Sequence, residues 1–457
     1  LSPVELSNLL TKQELSTLFK NELAACRNER KETWISLLAS RFTEPQPWLQ
    51  WTNAQLGELF QINLAPLVET FLLLFFGNPY QDLTEFVLQD LGLFKYENYV
   101  IDHHHRIFKT REELTHYQQL IRLREQLEQV ETVDDLISLI NLLPATSPTH
   151  TLERRRAKLC NQLAYALERL DRHEHAYQLY SQSNIPPSRE RRIRILEKQG
   201  QITSAWEIVQ TLIQQPANEH ELQVAERMLP RLAKKAGVKP VWQTEKTTLQ
   251  ETHLALPQLM DEHGTALTVE EIAQRHFDSD EQPCFYVENQ LINALFGLWL
   301  WPQMFANIDG AFANPFQSAP LDLYQEDFLK KRPEIEKQFQ FLQNEQHVEQ
   351  IKKIWRQKNG IVNHFVNWES CDETLLEIAL ACIPGEDLKH IFERMLFDIK
   401  SNRSGFPDLI QFYPAQKRYR MIEIKGPGDR LQDNQIRWLQ YFKRKGIAAE
   451  VCYVSWK

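Results

Sequence analysis

Apolar residues recur at helical spacing through most of the chain, and only the stretch from Asp408 onward switches to the alternation of strands. In TKQELSTLFK, Leu15, Leu18 and Phe19 share one face; in RKETWISLLASR, Trp34, Ile35, Leu37 and Leu38 share another. The two predict a helix–loop–helix within residues 1–70, with Lys31 opening the second helix. Phe71–Phe76 (FLLLFF) is the most apolar run and is far too short to cross a membrane. After the turn at Asn78-Pro79, LTEFVLQDLGLF returns to helical spacing, and Gly92 is a natural break.

Residues 113–240 read as helix almost throughout. Two segments echo each other, LERLDRHEHAYQLY from Leu167 and LEKQGQITSAWEIV from Leu196, so that Ala176-Tyr177 aligns with Ala205-Trp206 at an interval of 29 residues. A tetratricopeptide unit has about 34, so the echo points to a related, shorter helical repeat. Stacked helical pairs need such a small residue beside an aromatic where helices cross. Pro240, Pro257 and a polar composition mark 241–280 as linker. Beyond it one apolar helix spans roughly Glu288–Phe305, and helices continue to about Lys400. Strands follow at DLIQFY, YRMIEIK and AAEVCYVSW, with an amphipathic helix, Leu431–Lys445, between the last two. The expected architecture is multidomain and mostly α. A helical region at 1–112 precedes a helical-repeat, TPR-like domain at 113–280 and an α/β domain at 281–457.

Composition adjusts this little. Of 457 residues, 42% are apolar and 25% charged, as in soluble globular proteins. No signal-peptide pattern opens the chain, and Leu1 in place of Met suggests a trimmed start. Cys26, Cys160, Cys284, Cys371, Cys382 and Cys452 form no CxxC pair, which disfavours a zinc finger or disulfide framework and points to a reducing interior. His103, His104 and His105 are consecutive, and adjacent side chains cannot all face one metal. The net charge of −9 argues against a DNA-coating protein. It does not exclude a DNA enzyme, because binding depends on local patches and a metal site needs carboxylates. Basic clusters are present at Arg154-Arg155-Arg156, Arg189–Arg194, Lys330-Lys331-Arg332 and Lys443-Arg444-Lys445, and each reads more readily as a solvated helix face than as a DNA contact.

The sharpest local signal is Pro407-Asp408, fourteen intervening residues, then Glu423-Ile424-Lys425. Asp408 begins one strand and Glu423 lies on the next, so pairing brings two carboxylates to one sheet edge. Hard divalent ions take such oxygen ligands. Glu423 and Lys425 are two apart and share a face, which places a cation beside the carboxylates for phosphate stabilisation or proton handling. Gly405 allows close backbone approach, and Gly426-Pro427-Gly428 ends the strand in a tight turn. Gln435, on the following helix, stands one turn beyond Arg430.

This spacing resembles PD-(D/E)xK, the signature of a nuclease superfamily. The run GFPDL…MIEIKGPGDRLQDNQIRWL resembles a VRR-NUC domain, and within that group the Fanconi-associated nucleases in their shorter bacterial form. FGLWLW at Phe296–Trp301, PLDLYQEDFLKKRP at Pro320–Pro333 and NPYQDLTEFVLQDLGLFKYENY near the N-terminus are similar to the same family, and residues 1–70 resemble its SAP module. The resemblance implies a further catalytic acid at Glu288; read alone, that residue is equally a favourable helix-dipole charge. It implies a Mg²⁺ or Mn²⁺ site held by Glu288, Asp408, Glu423 and the Ile424 carbonyl, with Lys425 as base or stabiliser and Gln435 as a functional helix residue. Lys400, Arg403, Arg430 and Arg437 are candidates for phosphate contact. The longer members' ubiquitin-binding zinc finger has no counterpart in the Cys and His spacing.

The implied activity is cleavage near a 5′ flap and degradation from a 5′ end, in interstrand-crosslink repair, on branched or 5′-flap DNA. The implied compartment is the bacterial cytoplasm and nucleoid, or the nucleus in a eukaryote. Protein partners are expected on the helical repeats. Two alternatives stay open: a Holliday-junction resolvase, which stand-alone VRR-NUC domains suggest, and a catalytically inactive helical-repeat scaffold.

Overall fold

The computed structural model describes every residue except Ala54, Gln55, Gln61, Ile62, Tyr80, Asp82, Glu131 and 240–247, and every remaining side chain except those of Ala25 and Glu85. Pro240, read as the start of a linker, and Tyr80 and Asp82 of the NPYQD run lie outside the described residues. Contacts divide the chain into two compact units, Leu1–Phe71 and Leu72–Lys457. Among the described residues no helix is long and apolar enough to cross a membrane.

In the first unit, the helices Pro3–Leu9 and Lys12–Leu18 each begin at a capping box, Ser2 with Glu5 and Thr11 with Glu14. Each box satisfies amide donors that a helix start leaves open. With Lys31–Arg41 they enclose Leu6, Leu15, Phe19, Trp34 and Leu38. The Lys31 ammonium donates to the Leu10 carbonyl at 2.7 Å, so it ties this small domain together.

The second unit opens into stacked helices. His150–Arg169 packs with His173–Tyr180, and Ser188–Lys198 with Ile202–Gln214 and then Glu219–Ala236. Ala176 and Ala205 are both fully buried at the expected crossings. The Arg189–Arg194 run is absorbed here: Arg189 pairs with Glu221, Arg191 with Glu168 and Arg194 with Glu190.

The remainder is built on one five-stranded sheet. Its strands are β1 (Glu251–Leu256), β2 (Cys284–Tyr286), β3 (Leu409–Tyr413), β4 (Arg418–Lys425) and β5 (Ala449–Trp456), in the order β1-β5-β4-β3-β2. The β2-β3-β4 part is antiparallel and the β4-β5-β1 part parallel. β1 and the helix Val269–Phe277 arise from the stretch read as linker, so that reading is corrected at those positions. The signal was weak because β1 is an edge strand in which only Leu256 is buried. Alternation assigns Ile410, Phe412, Tyr419 and Met421 to the larger core, and Leu409, Ile422, Ile424 and Cys452 to the face covered by Val269–Phe277.

The helix Leu291–Met304 crosses the larger core with nearly every residue buried, which explains why FGLWLW is apolar on all sides. The FKYENY segment, placed by sequence in an N-terminal region, joins this core instead. The Tyr99 ring stacks on Phe312 at 3.8 Å, and Glu97 accepts from the Trp301 indole at 2.7 Å. PLDLYQEDFLKKRP is organised by a buried ion pair. Arg332 is 1% exposed and donates to both carboxylate oxygens of Asp322, at 2.8 and 2.9 Å.

Removing one partner of such a pair leaves an uncompensated buried charge. Asp322→Ala is therefore expected to cost about 3–5 kcal/mol in urea denaturation, and adding Arg332→Met should restore much of it. A loss under about 1 kcal/mol in the single variant would contradict the role given to the pair.

Candidate active site

The register of β3 with β4 pairs Leu409 with Ile422. Continuing it by one residue sets Asp408 opposite Glu423. β2 lies beside β3, and the Val287 amide donates to the Asp408 carbonyl at 2.9 Å. The end of the antiparallel segment thus gathers the approach to Glu288, Asp408 and Glu423. Asp408, one residue ahead of β3, and Glu423 of β4 lie on the face of the larger core, two positions from Ile410 and Met421, where apolar side chains give way to charge.

Asp408 is 6% exposed and Glu423 is 0% exposed. The Ile424 amide donates to Asp408 Oδ2 at 2.8 Å, anchoring one oxygen. Burial pushes Asp408 up to about 6, against the pull of the Ile424 amide and Lys425, with Glu270 and Glu288 adding to the push. Burial and then Asp408 raise Glu423 to about 8, against Lys425. The Lys425 ammonium lies 2.7 Å from Glu423 Oε1. Burial opposes its charge, but Glu423 and Asp408 outweigh burial and hold Lys425 above its ordinary value. Apart from that ion pair, among the described residues no hydrogen bond reaches either Glu423 oxygen, although both are buried. A buried carboxylate matched by a single ammonium is a costly group and a ready cation ligand.

The other expected residues are placed differently. Glu288 is in the turn ahead of the helix, which begins at Leu291, so it is not on the helix as the spacing suggested. The left-handed conformation of Asn289, φ 54°, interrupts the backbone there. The exposed Glu288 carboxylate accepts from the Tyr286 hydroxyl at 2.6 Å and from Asn289 at 3.2 Å. Gln435 does not turn to the carboxylates; its side chain accepts from the Gln432 amide at 2.9 Å and caps its own helix, Asp433–Lys445. Among the described residues no three His, Cys, Asp or Glu side chains converge into a cation cluster, and that includes His103, His104 and His105. His105 instead pairs with Asp102 at 2.8 Å. Arg403 donates to the Tyr324 hydroxyl at 2.7 Å and to His364, while Lys400 and Arg430 are exposed.

Three contributors were not foreseen. Asn289 Oδ1 accepts from the Gly405 and Phe406 amides at 2.8 and 3.1 Å, tying the Glu288 turn to the loop that carries Asp408. Glu270, in the first turn of Val269–Phe277, is within electrostatic reach of Asp408. Tyr286 holds Glu288. The capping sequence at Thr268–Glu271 announces that helix start, but nothing along the chain ties it to strands so far downstream. Gly405, at φ 93°, is required: a Cβ there would come within 2.9 Å of Asn434.

The chain matches the VRR-NUC domain family over residues 342–456 and the Fanconi anemia-associated nuclease SAP domain over residues 1–51. It is 38% identical over 453 residues to a Fanconi-associated nuclease 1 homolog from Pseudomonas aeruginosa, covering 99% of this chain and 80% of that protein. The homolog from Schizosaccharomyces pombe is 34% identical over 195 residues, covering 42% of this chain and 28% of that protein. A crystal structure of paFAN1 bound to 2-nucleotide 5′-flap DNA with a gap superposes with a TM-score of 0.81 at 37% identity, covering 100% of this chain and 83% of that one.

The raised carboxylates make a stability prediction for the cation-free protein. A folded state that holds a proton more tightly than the unfolded chain loses stability as pH rises through the folded pKa. In EDTA, Glu423→Gln should therefore melt above the unmodified protein at pH 8, and the gap should narrow towards pH 5. Equal melting at both pH values would show that Lys425 fully compensates the buried charge.

Proposed function

The chain belongs to the Fanconi-associated nuclease family, and from that premise we propose that it cleaves 5′-flap DNA by divalent-metal-dependent hydrolysis of a phosphodiester. The observation that carries this reading is the pair of buried, facing carboxylates, Asp408 and Glu423, with the Lys425 ammonium against one Glu423 oxygen. That donor set suits Mg²⁺ or Mn²⁺. Asp408 and Glu423 would hold the ion, joined by the Ile424 carbonyl and by Glu288 once its carboxylate leaves Tyr286. When bound, the ion supplies positive charge that polarises the phosphate and acidifies water.

The chain's own residues do the rest. Lys425 adds a cation at the scissile phosphate and is placed to stabilise developing charge or hand on a proton. The Ile424 amide holds Asp408 in orientation. Asn289 and Gly405 fix the loop that delivers Asp408 to the strand end. Gln435 contributes through its cap, by setting where the final helix begins. Hydrolysis adds water across the P–O3′ bond and leaves a 5′ phosphate. Degradation from a 5′ end repeats the same step.

The SAP-like domain and the helical repeats would grip the duplex. In the repeats, Arg124, Arg155 and Lys158 line one cleft together with Glu125 and Glu128, and burial followed by Arg154 and Arg155 pushes Lys158 down to about 8. Such crowding of cations favours a phosphate there. The repeats also offer the surface on which a protein partner would dock. The cellular role that fits flap cutting is interstrand-crosslink repair, at the nucleoid of a bacterial cytoplasm or in a eukaryotic nucleus.

End-labelled 5′-flap, four-way-junction and single-stranded DNAs, each incubated with Mg²⁺, Mn²⁺ or EDTA, test the reading. Flaps should be cut preferentially, and only with a divalent ion. Asp408→Ala or Lys425→Ala should lower cleavage by about a thousandfold or more while flap binding persists. Full activity in either variant, or cleavage in EDTA, would end the assignment. Preferential junction cutting would select the resolvase alternative.

A further inference from the structure

The flank of the C-terminal helix carries an arginine cluster that the hydrolytic site does not use. The helix Asp433–Lys445 and the repeat helix Glu219–Ala236 border a groove of about 340 Å³, with Arg394 between them. Arg227 stands on the repeat side, Arg437 and Arg444 on the nuclease side. The Arg394 side chain is 10% exposed; it donates to Glu219 at 2.9 Å and lies over the Trp438 and Tyr441 rings at 5.1 and 4.6 Å. Its Nε is buried with no acceptor, and so is that of Arg437. Burial first, then the charges of Arg444 and Arg437, work against the Arg394 cation, while Glu219 supports it.

Glu219 is already divided between Arg394 and Asn402. The groove's other acids, Glu226 and Asp433, leave four guanidinium groups facing three carboxylates. Buried donors without acceptors are unfavourable, and a phosphate group offers the acceptors that guanidinium forks fit.

The groove is also fixed to the catalytic loop. Asn434, one residue after Asp433, packs against Gly405, and the Trp438 ring lies 4.4 Å from that of Phe406. A phosphate held by Arg437 and Arg444 is therefore in set register with Asp408. We propose that this groove binds the sugar–phosphate backbone of the DNA substrate and sets where the duplex sits relative to the cut. The proposal rests on the flap-nuclease reading. Contacts to phosphate position a duplex without reading its sequence.

The test is flap-DNA affinity in EDTA between 50 and 200 mM salt. Arg437→Ala with Arg444→Ala should weaken binding about tenfold or more at low salt and lower the slope of log affinity against log salt by about two. Arg437→Lys with Arg444→Lys should keep the slope while losing part of the affinity, because the charge remains and the fork does not. The half-saturating DNA concentration in cleavage should rise more than the saturated rate falls. An unchanged affinity and slope in the alanine variant, with its fold verified by circular dichroism, overturns the proposal and leaves the flap reading standing. So does a thermal shift by inorganic phosphate that the variant loses without any change of slope, which marks a free-anion site. If the unmodified protein binds no flap DNA, both readings fall together.

Discussion

Pairing β3 with β4 in the observed register sets Asp408 across from Glu423 at a strand end from which water is almost fully excluded. Two ionised carboxylates facing each other in a dry site repel each other and lack solvation. The protein relieves this only partly. One amide and one ammonium, from Ile424 and Lys425, face the two buried carboxylates Asp408 and Glu423. The remaining imbalance is what makes the site receptive to a cation. It also means that the surrounding fold must hold the two strands in register against the repulsion.

Much of the scaffold serves that restraint. The buried helix Leu291–Met304 grows out of the Glu288 turn, and Asn293 donates to the Arg403 carbonyl at 2.8 Å. Asn289 holds Gly405 and Phe406. The loop before Asp408 is thereby clamped from the side opposite β4. Further out, Asp322 with Arg332 and Tyr99 on Phe312 lock connecting segments onto the same core. The conspicuous motifs PLDLYQEDFLKKRP and FKYENY are therefore largely packing and pairing elements, with Tyr324 of the first reaching Arg403.

Legibility along the chain followed the range of the interactions. Asp408, Glu423 and Lys425 were readable because strand alternation and a short hairpin bring them together within one local unit. The helical repeat was readable for the same reason, as Ala176 and Ala205 mark crossings between neighbours. Glu288 needed a family resemblance, since no local pattern links it to residues 120 positions later. β1 and Glu270 were hidden because β1 pairs with β5 across nearly two hundred residues and lies at an edge. The capping role of Gln435 was not legible, because its distance from Lys425 suits a site residue equally well and the helix start that engages its side chain is a local need.

Charge was the least legible property, and the reason is physical. The Arg189–Arg194 and Lys330–Arg332 runs look like DNA contacts by density, yet the structure spends most of these side chains on Glu221, Glu168, Glu190, Asp327 and Asp322. An excess of acids over bases is compatible with holding DNA only if the cations left for phosphate are concentrated in space. Arg227, Arg437 and Arg444, grouped around the Glu219-paired Arg394, satisfy that condition although the four come from three separate helices. None of them is part of a dense run in the Arg189–Arg194 sense except Arg444. A net charge of −9 therefore describes the average surface and says little about the field along one groove. What matters for a nuclease of this architecture is where the helices bring arginines together after their internal partners have been satisfied.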